Sequence, residues 1–591
     1  MPQGSAISPE DLRARAREWL AGDPDDVTRA ELAAILDRDD RDELGERFAR
    51  ELEFGTAGLR GVLGAGPNRM NRAVVIRTSL GLARHLAAEI ADAGERGVVV
   101  GYDARRMSRA FAEDAAGVFA AAGLRVHWFE TPVPTPLVAF SVRMLDAAAG
   151  IVVTASHNPA PYNGYKVYWR GGAQIVPPHD AAIARQIAAA PAAVGIARAP
   201  FDEARASGRL VPLGDDPAAR YVDEVRRLSL APAARPPLAI VYTPLHGVGL
   251  ALFERAMSAA GFHDVRVVPE QAAPDPAFPT TPFPNPEEPG VLDRALDLAR
   301  TCGAELVLAN DPDADRLAVA VRGEEDELVH LSGNQVGVLL GHYLLTEDRR
   351  PGPRAAVATI VSSPMLREIA RALDVRYEET LTGFKWIASR ASELEAEGYR
   401  FAFGYEEALG YAAFPLVRDK DGISAAALFA ELAAVCKTRG TTVHRHLGEL
   451  YRRFGYHASA QRSFTMPGNE GAARIAARMT ALRQAPPVKV AGCAVMELRD
   501  YAARMRVPAG GTAAPLALPP SDVLAFDLDG GSRVVVRPSG TEPKLKIYFD
   551  RREEVAAVES VADAEARARR ELARLDAAVV AELFATSERS T

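Results

Sequence analysis

Ala149-Gly150-Ile151-Val152-Val153-Thr154-Ala155-Ser156-His157-Asn158-Pro159 runs five small or apolar residues straight into a polar turn. A short, evenly apolar run bounded by turn residues reads as a strand buried on both faces, the kind found in parallel sheets covered by helices. Working outward, Gly97-Val-Val-Val-Gly101 reads as a second such strand and Arg109 to Ala122 as a helix between them. The same alternation resumes with Leu238 to Tyr242, Asp264 to Val268 and Ala304 to Ala309. It appears a third time in Ala355 to Val361, Lys385 to Ala396 and Phe401 to Phe403. Repeated strand–helix alternation predicts α/β layers with mainly parallel sheets. From about residue 460 the pattern changes to strands Val534-Val-Val536 and Leu545 to Phe549 with a closing amphipathic helix after Ser560, which predicts a smaller α+β domain. Residues 8 to 50 are helix-forming, and Ser8-Pro9-Glu10-Asp11 supplies an N-cap followed by proline at the first helical position.

The chain has 591 residues, which at roughly 150 residues per domain predicts about four domains. Hydrophobic residues make up 48% and charged residues 25%, a globular composition that excludes disorder, collagen or a coiled coil for the whole chain. The net charge of −8 provides no global positive field, so neither nucleic acid nor an anionic membrane is expected as a partner. Cys302, Cys436 and Cys493 are too few and scattered for a disulfide framework or a four-ligand zinc site, and are expected to be buried thiols. The N-terminus lacks a secretory pattern, so a cytoplasmic location is expected. The most apolar helical stretch, Ala425 to Cys436, is broken by Glu431 and is shorter than the roughly 20 residues of a membrane span. Pro274 to Pro289, with five further prolines between its ends, cannot form continuous helix and reads as a long surface loop.

Four segments carry chemistry. Ser156 lies just beyond the carboxyl end of a strand, where α/β sheets bind ligands; its neighbour His157 does not make a hydrolase triad with it, and no G-x-S-x-G elbow is present. Asp311-Pro312-Asp313-Ala314-Asp315-Arg316 places three carboxylates at alternate positions on a stiffened turn, able to converge on a hard cation. Arg322 stands where an EF-hand requires Glu, so that motif is excluded. Arg537-Pro538-Ser539-Gly540-Thr541 joins a guanidinium, two hydroxyls and a glycine in a phosphate cradle, and no Walker sequence occurs. Glu406 and Glu407, on a glycine-bounded loop, can accept hydrogen bonds from paired sugar hydroxyls.

Together these segments, in this order and with Gly55-Thr56-Ala57-Gly58-Leu59-Arg60-Gly61 before them, resemble the α-D-phosphohexomutase superfamily, the phosphoglucomutases and phosphomannomutases. The resemblance implies four domains around a central cleft, three related α/β domains with mixed, mainly parallel sheets and a smaller C-terminal α+β domain. The expected limits are a helical extension over 1–45 and domains over 46–210, 211–328, 329–455 and 456–591. By the same resemblance Ser156 is the serine that carries phosphate and, with Asp311, Asp313 and Asp315, borders a Mg²⁺ ion. Arg60, His157, Lys166 and Arg316 match active-site positions, with Lys166 or His157 as general base. Lys385, Glu406, Glu407 and Lys420 match positions near sugar and phosphate, and Arg537, Ser539, Gly540 and Thr541 the loop for the phosphate that does not react. Where many phosphoglucomutases have Glu-Glu-Ser, this chain has Glu406-Glu407-Ala408. With Thr382-Gly383-Phe384-Lys385 and the helical extension, this is similar to the type 2 phosphoglucomutase branch, whose members act on hexose or pentose phosphates.

The resemblance implies exchange between a sugar 1-phosphate and 6-phosphate, glucose being the first expectation, through a phosphoserine and a sugar 1,6-bisphosphate that also serves as activator. Phosphomannomutase or phosphopentomutase activity is the alternative, and a sugar-phosphate phosphatase a remote one. The expected partner is a small phosphosugar, and the expected state a monomer or homodimer. Only seven of the basic residues are lysine, and Lys166, Lys385, Lys420 and Lys544 fall in or beside these segments. Lysine is expected there because burial can lower the pKa of its compact ammonium, as it cannot for Arg. A hinge is expected near residue 455, closing the fourth domain on the substrate.

Overall fold

The computed structural model describes residues 7–53, 58–231, 236–466, 468–539 and 544–584. Two compact units are present, Met1–Val321 with Ala408–Val435, and Arg322–Glu407 with Cys436–Thr591.

The first unit opens with helices Pro9–Gly22, Asp26–Asp37 and Arg41–Phe48. The Ser8 side chain accepts from the Asp11 amide and Pro9 opens the first helix, as read from the sequence. These helices close around Ala16, Leu32, Ile35, Leu44 and Phe48, a small core of their own. A six-stranded sheet follows, in the spatial order Leu59–Val62, Tyr162–Trp169, Ala149–Val153, Val98–Tyr102, Val126–Trp128, Leu210–Pro212. The last four run parallel, and the first two join by antiparallel pairings. Every residue of Ala149–Val153 and Val98–Tyr102 is buried, because helices cover both faces. The antiparallel register sets Lys166 opposite Val152. The turn between the two strands carries Ser156.

A second sheet in this unit places Ile240–Thr243 between the parallel strands Val265–Val267 and Leu306–Ala309. Leu306–Ala309 then pairs antiparallel with Ala318–Arg322. The acidic run is the turn joining that last pair. Gly247 packs against it so closely that an added Cβ would lie 2.3 Å from the Pro312 Cα.

Segment 408–435 completes this unit. Glu431, which interrupts an otherwise apolar helix, is buried there and accepts from the Ser229 hydroxyl at 2.6 Å and the Leu230 amide at 2.7 Å. A buried carboxylate satisfied in this way costs far less than an unpaired one.

In the second unit Arg354–Thr359 lies between parallel strands Arg376–Thr380 and Arg400–Glu406, with helices Gly333–Glu347, Met365–Ala372 and Phe384–Ala396 packed on them. The C-terminal sheet is antiparallel, in the order Tyr456–Thr465, Lys544–Glu553, Ser532–Pro538, Leu524–Leu528, Cys493–Asp500, Met505–Pro508, Ala514–Pro515. Helix Val561–Phe584 packs on its Tyr456–Thr465 and Lys544–Glu553 strands. Ile360, Val361 and Leu381 form a common apolar seam with Tyr501, Val523, Ala525, Val535 and Tyr548 of this sheet. Three α/β layers and a smaller C-terminal α+β domain are therefore what the molecule contains.

Two expectations change. Cys436 is buried, but Cys302 and Cys493 are only partly so. The proline-rich stretch is no idle surface loop: Phe278, Thr281 and Asn285 are buried, because proline fixes the path of the chain without deciding what the aromatic side chains between the prolines pack against. No helix among the described residues is long and apolar enough to cross a membrane.

Candidate active site

In the first unit the turn after Ala149–Val153 and the acidic turn after Leu306–Ala309 meet. Ser156 is 1% exposed and sits at φ +53°, a left-handed conformation that is uncommon for a residue with a side chain. Its amide donates to the Thr154 hydroxyl at 2.9 Å. Its own hydroxyl donates to Asp311 Oδ2 at 2.7 Å. His157 Nδ1 lies 3.2 Å from the same hydroxyl, with its ring centroid 6.0 Å from that of Phe283. Arg60, on the edge strand, reaches the Asn158 side chain at 3.4 Å. Arg316 donates its amide to Asp311 Oδ1 at 3.1 Å and pairs with Glu287 at 3.3 Å.

Lys166 is wholly buried, with its ammonium 2.7 Å from Asp313 Oδ2 and 2.8 Å from Asp315 Oδ2. Lys420 adds a second ammonium 3.3 Å from Asp315 Oδ2, and Thr135 donates to Asp313 Oδ2 at 2.6 Å. Asp419, beside Lys420, accepts from the Tyr168 hydroxyl at 2.9 Å and from Gln174 at 2.6 Å.

The electrostatics divide the three carboxyls. Burial, then the charges of Asp313 and Asp315, push Asp311 well above the usual carboxyl range, against Arg316 and the Ser156 hydroxyl. Burial and Asp315 also work to raise Asp313, yet the charge and hydrogen bond of Lys166 hold it below its ordinary value. Asp315 is likewise held down, against burial, by Lys166, Lys420 and Arg316. Burial alone would lower Lys166, but Asp313 and Asp315 raise it above its ordinary value. The expected direction is thus reversed, since two carboxylates in contact outweigh desolvation. Burial, with Arg316 and Arg60 nearby, lowers His157 well below its ordinary value, so its imidazole is neutral near pH 7.

Asp311, Asp313 and Asp315 have carboxylate oxygens all within 4.8 Å of one another, the one such acidic group among the described residues. Asp313 Oδ1 and Asp315 Oδ1 are buried without a hydrogen-bond partner. Oxygen atoms left unpaired in this way are costly unless a cation takes them, and an all-oxygen set suits a hard divalent ion. The residues fit a metal ion.

In the second unit Glu407 accepts from the Thr359 hydroxyl at 3.2 Å and lies within 3.5 Å of the Ser362 hydroxyl. Glu406 ends the strand Arg400–Glu406. Burial raises the Tyr548 phenol, and Glu407 raises it further while Arg537 lowers it. The acidic pair and the cradle arginine thus share one neighbour. Arg533 ties the same region together, donating to the Ser362 carbonyl at 2.9 Å and pairing with Asp550 at 2.6 Å. Lys385 opens the helix Phe384–Ala396, its ammonium 5.6 Å from the Trp386 ring centroid. Ser539 donates its amide to the Lys544 carbonyl at 2.7 Å; Gly540 and Thr541 lie outside the described residues.

The sequence reading missed Thr135, Asp419, Tyr548 and Arg105, whose guanidinium lies under the Ser156 turn. Asp103 and Arg105 directly follow the buried strand Val98–Tyr102, and that strand-end position was the available signal.

Models of phosphoglucomutase/phosphomannomutase match the chain in four successive pieces: alpha/beta/alpha domain I over residues 51–193, domain II over 219–324, domain III over 332–454 and the C-terminal domain over 475–568. The chain is 36% identical to the phosphopentomutase of Homo sapiens, across 93% of each chain. It is 34% identical to a phosphoglucomutase of Staphylococcus aureus, across 85% of this chain and 90% of the other. A phosphoglucomutase/phosphomannomutase family protein from Burkholderia thailandensis has the same fold, with a TM-score of 0.65 at 19% identity over 91% of this chain and 98% of its own. With its four matched domains and these full-length relatives, the chain belongs to the phosphoglucomutase/phosphomannomutase family of intramolecular phosphotransferases.

Proposed function

We propose that this protein is a phosphopentomutase, moving phosphate between the 1- and 5-positions of ribose or deoxyribose phosphate by way of a phosphoserine at Ser156 and a bisphosphorylated sugar. The observation that carries the chemistry is the 2.7 Å contact of the Ser156 hydroxyl with Asp311 inside a buried three-carboxylate cluster. The substrate is argued from the relative named phosphopentomutase, which matches 93% of this chain, and from Ala408 in place of a hydroxyl that could contact a hexose. This replaces glucose as the first expectation.

In this reading phosphoserine passes its phosphoryl group to the substrate, the bisphosphate turns over, and its other phosphate returns to Ser156. Both halves are phosphoryl transfers, in which catalysis is positioning and charge stabilisation. Asp311, Asp313 and Asp315 would hold Mg²⁺, which supplies positive charge to phosphoryl oxygens. Arg60 and Arg316 neutralise the serine phosphate, which carries about −1.5 to −2 charge at neutral pH. His157, neutral and 3.2 Å from the Ser156 hydroxyl, takes the proton of the attacking sugar hydroxyl and returns it to the Ser156 oxygen as that oxygen leaves phosphorus, and does the reverse in the second half, while Lys166 holds Asp313 and Asp315. Glu406, Glu407 and Lys385 contact the sugar and Arg537 grips the phosphate that stays.

Ribose 1-phosphate, deoxyribose 1-phosphate, glucose 1-phosphate and mannose 1-phosphate are to be compared with Mg²⁺ and a trace of sugar bisphosphate. The pentose reading expects the highest kcat/KM on a pentose phosphate, and a preference for glucose returns the assignment to a hexose mutase. Inorganic phosphate as the main product would make the protein a phosphatase.

A further inference from the structure

Arg105 is 5% exposed, and both terminal nitrogens of its guanidinium are turned onto the Ser156 turn. One terminal nitrogen donates to the Ser156 carbonyl at 2.7 Å and also to the Asn158 carbonyl. The other donates to the Pro159 carbonyl at 3.0 Å and the Tyr162 carbonyl at 3.2 Å. Its Nε lies 3.3 Å from Asp103 Oδ2, and the Phe278 ring centroid lies 4.8 Å from the guanidinium carbon. Asp103 is itself fastened: its Oδ1 accepts from the Arg105 amide at 3.0 Å and the Ser108 hydroxyl at 2.6 Å. Its own amide donates to the Val153 carbonyl at 3.0 Å, where the turn begins. The pair therefore grips the turn at its first residue and at four carbonyls as far as Tyr162.

This arrangement accounts for an otherwise expensive conformation. A non-glycine residue at positive φ costs on the order of 1 kcal/mol and relaxes unless its surroundings hold it. Within a trans peptide the C=O and N–H point oppositely, so drawing the Ser156 carbonyl onto Arg105 aims the His157 amide away from it. A planar fork with several donors can hold four carbonyls at once, which a lysine ammonium with three donors cannot.

We propose that Arg105, braced by Asp103 and covered by Phe278, is the positioning residue that fixes Ser156 against Asp311, so that its loss appears in phosphoryl transfer and not in substrate binding. This rests on the reading that Ser156 carries the phosphate.

The test compares wild type, Arg105→Met and Arg105→Lys in the full chain. Two quantities are read: the rate at which glucose 1,6-bisphosphate phosphorylates Ser156, followed by intact mass, and kcat and KM with ribose 1-phosphate. Misplacing a reacting group by about 1 Å costs on the order of 100-fold, so Arg105→Met is expected to lower both the loading rate and kcat by about that factor while KM stays within about threefold. Arg105→Lys should recover roughly tenfold of this, since it keeps a buried positive charge facing Asp103. A folded Arg105→Met with loading and kcat within about threefold of wild type overturns the proposal, as does a KM that rises as much as kcat falls. Should Arg105→Met fail to fold, Arg105→Lys decides: its kcat and loading rate must fall below wild type with KM held, and wild-type values refute the idea. Wild type that never takes phosphate on Ser156 would instead remove the mutase reading itself.

Discussion

The two groups of candidate residues handle charge in opposite ways. In the first unit Ser156, Lys166, Lys420, Asp311, Asp313 and Asp315 are all buried, and each carboxylate is matched by an ammonium, a hydroxyl or an amide. In the second unit Glu406, Glu407, Lys385, Arg537 and Ser539 remain partly exposed, and the contacts of Glu407 include the Thr359 and Ser362 hydroxyls. Low dielectric strengthens every interaction in the first group and makes each dependent on its partners. The second group is half-open and therefore reachable from solvent. In the function proposed above, the buried group moves phosphate and the half-open group recognises sugar.

Removing the hydroxyl tests the first group most severely. Ser156→Ala should lower kcat by roughly 10⁴-fold or more, because no phosphate can be stored; a residual rate within tenfold of wild type, from coupled assays, would break the contrast. Next comes Lys166→Met. Taking away one partner of a buried ion pair costs about 3–5 kcal/mol, so denaturant unfolding should show a loss of that order, and added Mg²⁺ should restore part of it. No loss would mean that the carboxylates do not depend on that ammonium, and a loss that Mg²⁺ leaves unchanged would mean that no ion takes its place.

Acid should load the second unit through its partly buried histidines. Burial is the first cause holding both His342 and His457, in the second unit, down to about 4, whereas an unfolded chain has histidine near 6.5. The unfolded chain therefore takes up the proton first as pH falls. The stability each neutral ring contributes is complete above about pH 6.5 and lost progressively down to about pH 4, at most about 3 kcal/mol per ring. Melting curves between pH 7 and 4.5 should show the fall, and His457→Phe should flatten it.

Arg537→Ala should raise KM by about tenfold to a hundredfold with a smaller change in kcat, the value of one charge-assisted contact to phosphate. An equal fall in kcat with KM unchanged would move Arg537 into the reacting group. The smallest effect on stability is expected from chelation. EDTA should abolish turnover while shifting Tm by only about 2 °C, since a 1 kcal/mol change moves the Tm of a chain this large by a few degrees at most.

Much of this was legible in the sequence because strand ends are where α/β sheets place their chemistry. Ala149–Val153 and Leu306–Ala309 read as buried strands, which drew attention to the turns after them; the three alternate carboxylates and the family resemblance then singled out Ser156 and Asp311. Arg105 obeys the same rule, but in an arginine-rich chain its residue type adds nothing to that strand-end position. The pKa direction of Lys166 was unreadable because it depends on two carboxylates some 150 positions away in sequence. The proline-rich stretch reads as a surface loop, because Phe278 and Phe283 find Arg105 and His157 only through the meeting of two sheets.

Lys166 occupies the carboxylates with a charge that the chain carries with it. That charge sits on a strand of one sheet and the carboxylates on a turn of the other, so a single ammonium rivets the two layers together where the chemistry is proposed to lie.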